Sequence, residues 1–353
     1  MHLNVFASQS CFVHCKGCYS YSREEKKGVQ VPTDELLKFL EFIYNKGTRK
    51  VTFCGGDPLA RKDIIGLLEK TKSIGFSISI DTMGTPIIRD ALNDRGELIK
   101  KIDVEKISKY VDMIGIPIDG STNEIFRRFR QTRVDIINEQ LSVCEELNKV
   151  GANICINTVA HKGNLDDARE LAKLIKKLDY INKWQIFQYE PLGKFGLLNR
   201  KKFEITDQQF LEFKSAVIEV FNDDYSKLQF KSYKDRKNAY MLVNNSGIAW
   251  IPSGEIMSLP NFPYLLGKNI VIGDIGNSKE WSRISSYLDK DFSQINKEPD
   301  TIREILELKK EKRVSFINKI SNNGEYRNVE LLKEDVPKHQ IDEIEKLREE
   351  GER

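Results

Sequence analysis

The sequence predicts an α/β fold: a partial (β/α)6 barrel with a smaller α+β C-terminal extension. Three observations carry that expectation. Short β-rich apolar runs alternate with amphipathic runs of helical spacing. Six such strands fit within about 190 residues, fewer than the roughly 250 an eight-fold barrel takes. The alternation stops after Gly193. An open barrel and a doubly wound sheet share this pattern.

The strands are read at residues 2–7 (HLNVFA), 50–54 (KVTFC), 76–82 (FSISIDT), 112–119 (DMIGIPID), 152–160 (ANICINTVA) and 184–190 (WQIFQYE). Each is short and apolar, as buried strands of a parallel sheet are. Between them, 33–47 starts on an N-cap threonine, Thr33, and ends at Gly47. Residues 61–75, 133–151 and 164–178 repeat the helical pattern. Further on, 206–221 reads as a helix, 239–254 as a hairpin turning at Asn245-Ser246-Gly247, and 269–276 as a short strand. The end of the chain is mostly charged helix. These divisions predict a barrel over 1–195, an α+β extension over 196–300 and a charged helical tail over 301–353.

The 353 residues hold 56 basic and 53 acidic side chains, a net charge of +3, which gives no reason to expect a nucleic-acid or membrane partner. No run approaches the roughly 18 apolar residues of a membrane span. The N-terminus lacks the charged-then-apolar order of a signal peptide. A cytoplasmic location is expected. In that reducing compartment the six cysteines are thiols or metal ligands rather than a disulfide framework.

Half of them, Cys11, Cys15 and Cys18, form a C-x3-C-x2-C run in the loop after the first strand. Structural zinc usually takes two separated ligand pairs; Cys54, Cys144 and Cys155 make no second pair, and His14 abuts Cys15. Thiolates also hold iron–sulfur clusters, and three of them leave one iron of a cubane open. After the second strand comes Gly55-Gly56-Asp57-Pro58. The glycines allow a ligand close to the backbone, Asp57 offers a carboxylate to an ammonium group, and Pro58 stiffens the exit.

This pair of motifs resembles the radical S-adenosylmethionine (SAM) superfamily, and the resemblance extends over residues 2–193. It implies a TIM-like partial barrel with one 4Fe–4S cluster on Cys11, Cys15 and Cys18. SAM would chelate the open iron through its amino and carboxylate groups. Reductive cleavage would then give methionine and a 5′-deoxyadenosyl radical that takes a hydrogen atom from a substrate. An electron donor such as flavodoxin or ferredoxin is the implied partner. The implied cofactor-binding residues are Gly55, Gly56, Asp57 and Pro58, with Thr82, Asn157 and Gln188 facing the same mouth and Thr158 beside them. Arg130 matches a family arginine that pairs with the SAM carboxylate. Trp184 and Phe187 read as core. Two departures stand out: Gly17 where an aromatic residue is frequent, and Pro117 where peptide-modifying members carry a serine on the SAM ribose. No catalytic hydrogen donor or base is assigned.

Residues 115–130 resemble peptide-modifying members, and 249–276 has the rhythm of their SPASM or Twitch extension but no cysteine. One cluster and no auxiliary cluster is expected, with Cys54, Cys144 and Cys155 as packing residues. A ribosomally made peptide is the first substrate expected. Residues 183–243 resemble viperin, a nucleotide dehydratase, so a nucleotide or other small molecule comes second. Lys201, Lys202, Lys231, Lys234, Arg236 and Lys237 are then candidate phosphate contacts. A glycyl-radical-enzyme activase is third, on the likeness of CKGCY and GGDPL. A non-catalytic iron–sulfur sensor is fourth, and the Gly-Gly-Asp-Pro turn argues against it.

Overall fold

The structure, a computed structural model, describes residues 2–19, 30–132, 134–222, 225–232, 240–259 and 262–287. The expected tail over 301–353 lies outside them, as do Lys234, Arg236 and Lys237. The strands in chain order are β1 (His2–Ser8), β2 (His14–Cys15), β3 (Lys50–Gly55), β4 (Ser77–Asp81), β5 (Ala91–Leu92), β6 (Leu98–Ile99), β7 (Met113–Pro117), β8 (Arg130–Gln131), β9 (Ile154–Ala160), β10 (Lys183–Gln188), β11 (Leu228–Lys231), β12 (Tyr240–Val243), β13 (Ile248–Leu259) and β14 (Phe262–Asp274).

Ten of these form one sheet in the order β11-β10-β9-β7-β4-β3-β1-β12-β13-β14. The six expected strands are β1, β3, β4, β7, β9 and β10. They lie side by side in chain order, all parallel. That order runs without the reversal of a doubly wound sheet, so the wall is that of a barrel. It is an open one: among the described residues no pairing joins β11 to β14. The described strands of the expected C-terminal extension continue this sheet. β11 adds parallel to β10, β12 adds parallel to β1, and the β13–β14 hairpin follows from β12 through the turn Asn244–Gly247. The strand expected at 269–276 is the later part of β14.

Pro32, not Thr33, occupies the N-cap of helix Thr33–Asn45. The Thr33 hydroxyl is instead engaged by Arg61 and Asp63. Helix Asp207–Phe221 starts on a capping box, Thr206 with Gln209. No helix among the described residues is long and apolar enough to cross a membrane.

Alternation along the strands separates two faces. Leu3, Val5, Phe53, Ile80, Ile116 and Ile156 lie on one and are packed under the helices in a single core. Their burial is worth about 1.5–3 kcal/mol per side chain, and it fixes strand register, since a slip of one residue would turn them to the other face. That other face carries His2, Thr52, Asp81, Gly115 and Asn157. His2 Nε2 lies 2.6 Å from Thr52 Oγ1. Asn157 Nδ2 on β9 donates to Asp81 Oδ1 on β4 at 2.7 Å, across the intervening strand β7. Adjacent strands stand about 4.8 Å apart, so this bond spans about two strand spacings on the face turned away from the helices, the concave side of the open barrel wall. A Cβ on Gly115 of β7 would stand 2.1 Å from the Asp81 oxygen, which is why this strand carries a glycine there.

Candidate active site

Parallel strands bring the loops after β1, β3, β4, β7, β9 and β10 to one edge. The cysteine loop follows β1 and is held at three points there. Gly56 N donates to Ser8 O at 2.9 Å and Asp57 N to Ser10 O at 2.7 Å. Cys11 N donates to Asp94 Oδ1 at 3.2 Å, and Asp94 N returns a bond to Cys11 O at 2.8 Å. Cys15 pairs antiparallel with Arg130 in the β2–β8 ladder, and Lys16 N donates to Phe129 O at 2.9 Å.

The Gly55-Gly56 pair seats the chain's own backbone. A Cβ on Gly55, whose φ is +113°, would stand 2.8 Å from Phe6 Cα, and one on Gly56 would stand 2.3 Å from Ser10 O. The room read from the sequence as ligand space is therefore filled by β1 and the start of the cysteine loop. Asp57, expected to face an ammonium group, is turned inward and is 1 % exposed. Its Oδ1 accepts from Leu59 N at 2.9 Å and Thr82 Oγ1 at 2.7 Å, and its Oδ2 from Met83 N at 2.7 Å. Burial raises its pKa to about 6, although these three bonds pull the other way. Asp57 and Thr82 thus close the turn onto the end of β4 rather than line a mouth. Pro58 begins a buried 3-10 turn, Pro58–Ala60.

Arg130 is read from the sequence as a partner for the SAM carboxylate. In the structure its Nε pairs with Asp119, and its Nη1 donates to Cys15 Sγ at 3.5 Å. Asp119 is fully buried, and its other oxygen accepts from Val159 N at 2.7 Å. The guanidinium is therefore held from behind and aimed at a cysteine sulfur. Cys15 packs with Phe129, Tyr189 and Phe203, and Val13, Cys18 and Val159 border them. Gly17 explains its own departure from the family pattern: a Cβ there would stand 2.6 Å from Phe129 Cε2 and 2.8 Å from Tyr189 Cε2. The aromatic surface comes from elsewhere in the chain. A second apolar group, Phe6, Cys54, Leu242 and Trp250, lines the concave face, with Tyr19 edge-on to Phe6 at 5.7 Å.

Burial pushes the Cys15 thiol up to about 12 and the Cys11 thiol well above its usual range. Such thiols ionise only when a cation replaces the lost hydration, as a thiolate-bound metal does. Three thiols from one loop, two of them in an apolar recess and one with a guanidinium on its sulfur, fit an iron–sulfur cluster. No three His, Cys, Asp or Glu side chains among the described residues come together as on one ion. A cubane asks for something different, one thiolate per iron.

The remaining expected residues divide by strand parity. Asn157 is on the concave face, where Cys155 Sγ donates to its Oδ1 at 3.5 Å and Asp81 accepts from its amide. Cys155, expected only to pack, thus orients Asn157. Thr158, one residue on, faces the helices, where its hydroxyl accepts from Trp184 Nε1 at 2.9 Å. Gln188 is also on the helix side: it is fully buried, and its Nε2 donates to Asp207 Oδ1 at 3.1 Å. Phe187, expected in the core, lies on the concave face, with Lys231 Nζ 5.3 Å from its ring centre. The sequence does not single out Asp81 or Gly115, although a glycine inside a strand is a signal of close approach. Asp81 opens onto the concave face. Its side chain is exposed there, but the surrounding strands reduce its hydration and raise its pKa to about 6, while Asn157, Lys231 and Arg130 lower it.

Comparison with known proteins agrees with this geometry. Residues 5–175 match the family model of the radical SAM superfamily. An S-adenosylmethionine-dependent nucleotide dehydratase of Lacinutrix mariniflava is 25% identical over 256 residues, 69% of this chain and 49% of that one. The match therefore spans about half the length of that relative. A second such dehydratase, from Flammeovirga pacifica, is 22% identical over 82% of this chain and 92% of its own. A GTP 3′,8-cyclase of Aliarcobacter butzleri is 25% identical over 66% of this chain and 69% of its own. Among solved structures, Streptococcus suis SuiB bound to S-adenosylmethionine superposes with a TM-score of 0.58 at 16% identity, over 84% of this chain and 67% of SuiB. The native anSMEcpe complex with AdoMet and the Kp18Cys peptide gives 0.57 at 16% identity, over 81% and 82%. These two likenesses are of fold. With the cysteine loop and the Gly-Gly-Asp-Pro turn on the edge of such a sheet, the chain belongs to the radical SAM superfamily.

Proposed function

We propose that this chain is a single-cluster radical SAM enzyme that takes a hydrogen atom from a nucleotide or nucleotide-like small molecule bound on the concave face. The observation that carries the reading is the oriented Asp81–Asn157 pair on that face, with Lys231 close enough to act on Asp81. When bound, a reduced cluster and SAM supply one-electron cleavage of the sulfonium to methionine and a 5′-deoxyadenosyl radical. Cys11, Cys15 and Cys18 would hold the cluster as thiolates, releasing their protons on assembly. Arg130, which donates to the Cys15 sulfur, would stabilise its negative charge once a cluster is held. The Gly55–Pro58 turn would offer SAM its main chain, since the Asp57 carboxylate is engaged within the protein. Phe6, Trp250, Phe129 and Tyr189 keep water from the reacting region. Asp81 would accept from a ribose hydroxyl or base amino group, and Lys231 would meet a phosphate. The dehydratase and cyclase relatives support this substrate class.

A peptide substrate is the second reading, and one observation favours it. β14 stands at the edge of the sheet, where an extended peptide can add as a strand.

The test is anaerobic reconstitution with iron and sulfide, then dithionite and SAM with each nucleoside triphosphate in turn. The expected result is about four irons per chain and 5′-deoxyadenosine formation that one nucleotide stimulates. Stimulation by peptides alone would transfer the reading to the second substrate class. Bound zinc, or no cleavage by a chain with its cluster intact, would overturn both.

A further inference from the structure

Three carboxylates stand at or just after the ends of the parallel strands, and the fold treats them differently. Both oxygens of Asp57 are taken by Leu59, Thr82 and Met83, and both of Asp119 by Arg130 and Val159. Asp81 receives one bond: its Oδ1 accepts from Asn157 Nδ2 at 2.7 Å. Its Oδ2 accepts no hydrogen bond among the described residues, and the side chain is exposed on the concave face.

The Asn157 amide is itself held. Its Oδ1 lies 3.5 Å from Cys155 Sγ, whose other oxygen neighbour, Ile156 O, is 3.6 Å away. Burial keeps this thiol protonated, pushing its pKa up to about 12. A protonated thiol holds the amide oxygen on its own side, which turns the amide nitrogen to Asp81. An amide nitrogen only donates, so Asp81 Oδ1 is fixed as an acceptor. Any proton on this carboxyl therefore sits on Oδ2, the oxygen open to the barrel. Gly115 leaves room for the arrangement: a Cβ there would stand 2.1 Å from Asp81 Oδ1 and 2.5 Å from Asn157 Nδ2.

Reduced hydration among the strands raises the Asp81 pKa to about 6, against Asn157 on β9, Lys231 on β11 and Arg130 on β8, which lower it. The thiols that feel its charge, Cys54 on β3 and Cys155 on β9, are held neutral by burial, and β7 contributes only Gly115. A group titrating there can take and release a proton near neutral pH. We propose that Asp81 is the proton-transfer residue of the reaction, working through Oδ2, and that Cys155 is the positioning residue that decides which oxygen does so. This deepens the reading of the concave face as the site of a nucleotide-like substrate, and rests on it. Once a hydrogen atom is taken from a carbon that bears a hydroxyl, that hydroxyl becomes far more acidic, because the charge on its oxygen is shared with the radical carbon. The O–H bond breaks, its proton bonds to Asp81 Oδ2, and the electron pair stays on the substrate oxygen. No electron enters or leaves in this step, and the proton passes on to water from the exposed side chain.

The experiment uses the full reconstituted chain with SAM and ribose-deuterated ATP, GTP, CTP and UTP in turn, from about pH 5 to 9. Nucleotide binding is read before reduction; deuterium in 5′-deoxyadenosine and conversion of the nucleotide are read after dithionite is added. Native conversion should rise with pH through about 6. Asp81→Asn keeps a hydrogen bond to Asn157 but cannot ionise. It should bind the nucleotide and still pass deuterium to 5′-deoxyadenosine, while kcat for conversion falls about a hundredfold or more and loses its acid limb. Cys155→Ala frees the amide to turn its oxygen to Asp81, which favours the protonated carboxyl and moves the limb to higher pH. Cys155→Ser, which restores a donor, should return it.

Infrared spectra of the unreduced chain give a readout apart from turnover. The protonated-carboxyl band missing from Asp81→Asn should titrate at the pH of the native limb and shift upward in Cys155→Ala. Native conversion and pH profile in Asp81→Asn, or weaker binding with kcat unchanged, overturn the proton-transfer role alone. An unmoved band in Cys155→Ala overturns the positioning role. No nucleotide response from the native chain overturns the substrate reading, and this inference with it.

Discussion

Gly17 lies against the ring of Tyr189: a Cβ on this glycine would stand 2.8 Å from Tyr189 Cε2. The ring cannot swing away freely, because its hydroxyl donates to Gly196 O at 2.9 Å and it is 3 % exposed. Crowding such a site costs about 1–3 kcal/mol or more. Gly17→Phe is expected to lose most of its iron on reconstitution, and adding Tyr189→Ala to restore it only in part, because Phe129 Cε2 would stand 2.6 Å from the same Cβ. Full iron in the single variant would show that the ring does not constrain the loop.

Asp57 serves the fold before it serves any ligand. Asp57→Ala leaves three buried donors without their acceptor, a cost of about 3 kcal/mol in urea unfolding of the cluster-free chain. The pH dependence has a definite sign. The folded pKa, about 6, lies above the ordinary 3.8, so the folded chain binds more protons between those values. The contribution of Asp57 to stability is therefore greatest below about 4 and falls as pH rises through about 6. Subtracting Asp57→Asn, which cannot ionise, from the native chain should isolate that slope. A difference independent of pH would contradict the raised value.

Arg130→Ala removes the partner of a fully buried carboxylate, Asp119. Breaking a buried pair from one side costs about 3–5 kcal/mol, whereas removing both charges costs less. Arg130→Ala/Asp119→Ala is thus expected to unfold at higher urea than Arg130→Ala alone. In both, the lost donor to Cys15 Sγ should lower the reduction potential of the assembled cluster. An unchanged potential would confine Arg130 to a structural role.

Gly115→Ala should break the Asp81–Asn157 bridge from beneath, since the new methyl falls 2.1 Å from Asp81 Oδ1. Asp81→Ala removes the same carboxylate without crowding. Both are expected to retain iron and unstimulated SAM cleavage while losing about tenfold or more of nucleotide-stimulated turnover. Native stimulation in Asp81→Ala would remove this face from the substrate site.

Spacing was sufficient to find the cysteine loop, the six parallel strands and the hairpin after Val243, because each is written in contiguous residues. Three cysteines within eight positions must share one loop, and alternation along a strand is local. What each side chain faces is not local. Gln188 and Phe187 exchange roles because strand parity depends on register with β9 and β11, and Thr158 turns from the mouth to the helices for the same reason. The Asp57 carboxylate reads as a ligand contact because its three donors come from its own turn and from the two residues after β4, about 25 residues away. Gly17 reads as a missing aromatic because Phe129 and Tyr189 reach it only in the folded chain. By itself the sequence determined the chemistry available: three thiols for a cluster and a glycine turn beside them. Tertiary structure alone decided which polar groups turn into the protein, as Asp57, Thr158 and Gln188 do, and which stand on the concave face, as Asp81 and Asn157 do, since buried groups find acceptors wherever the fold brings one within about 3 Å.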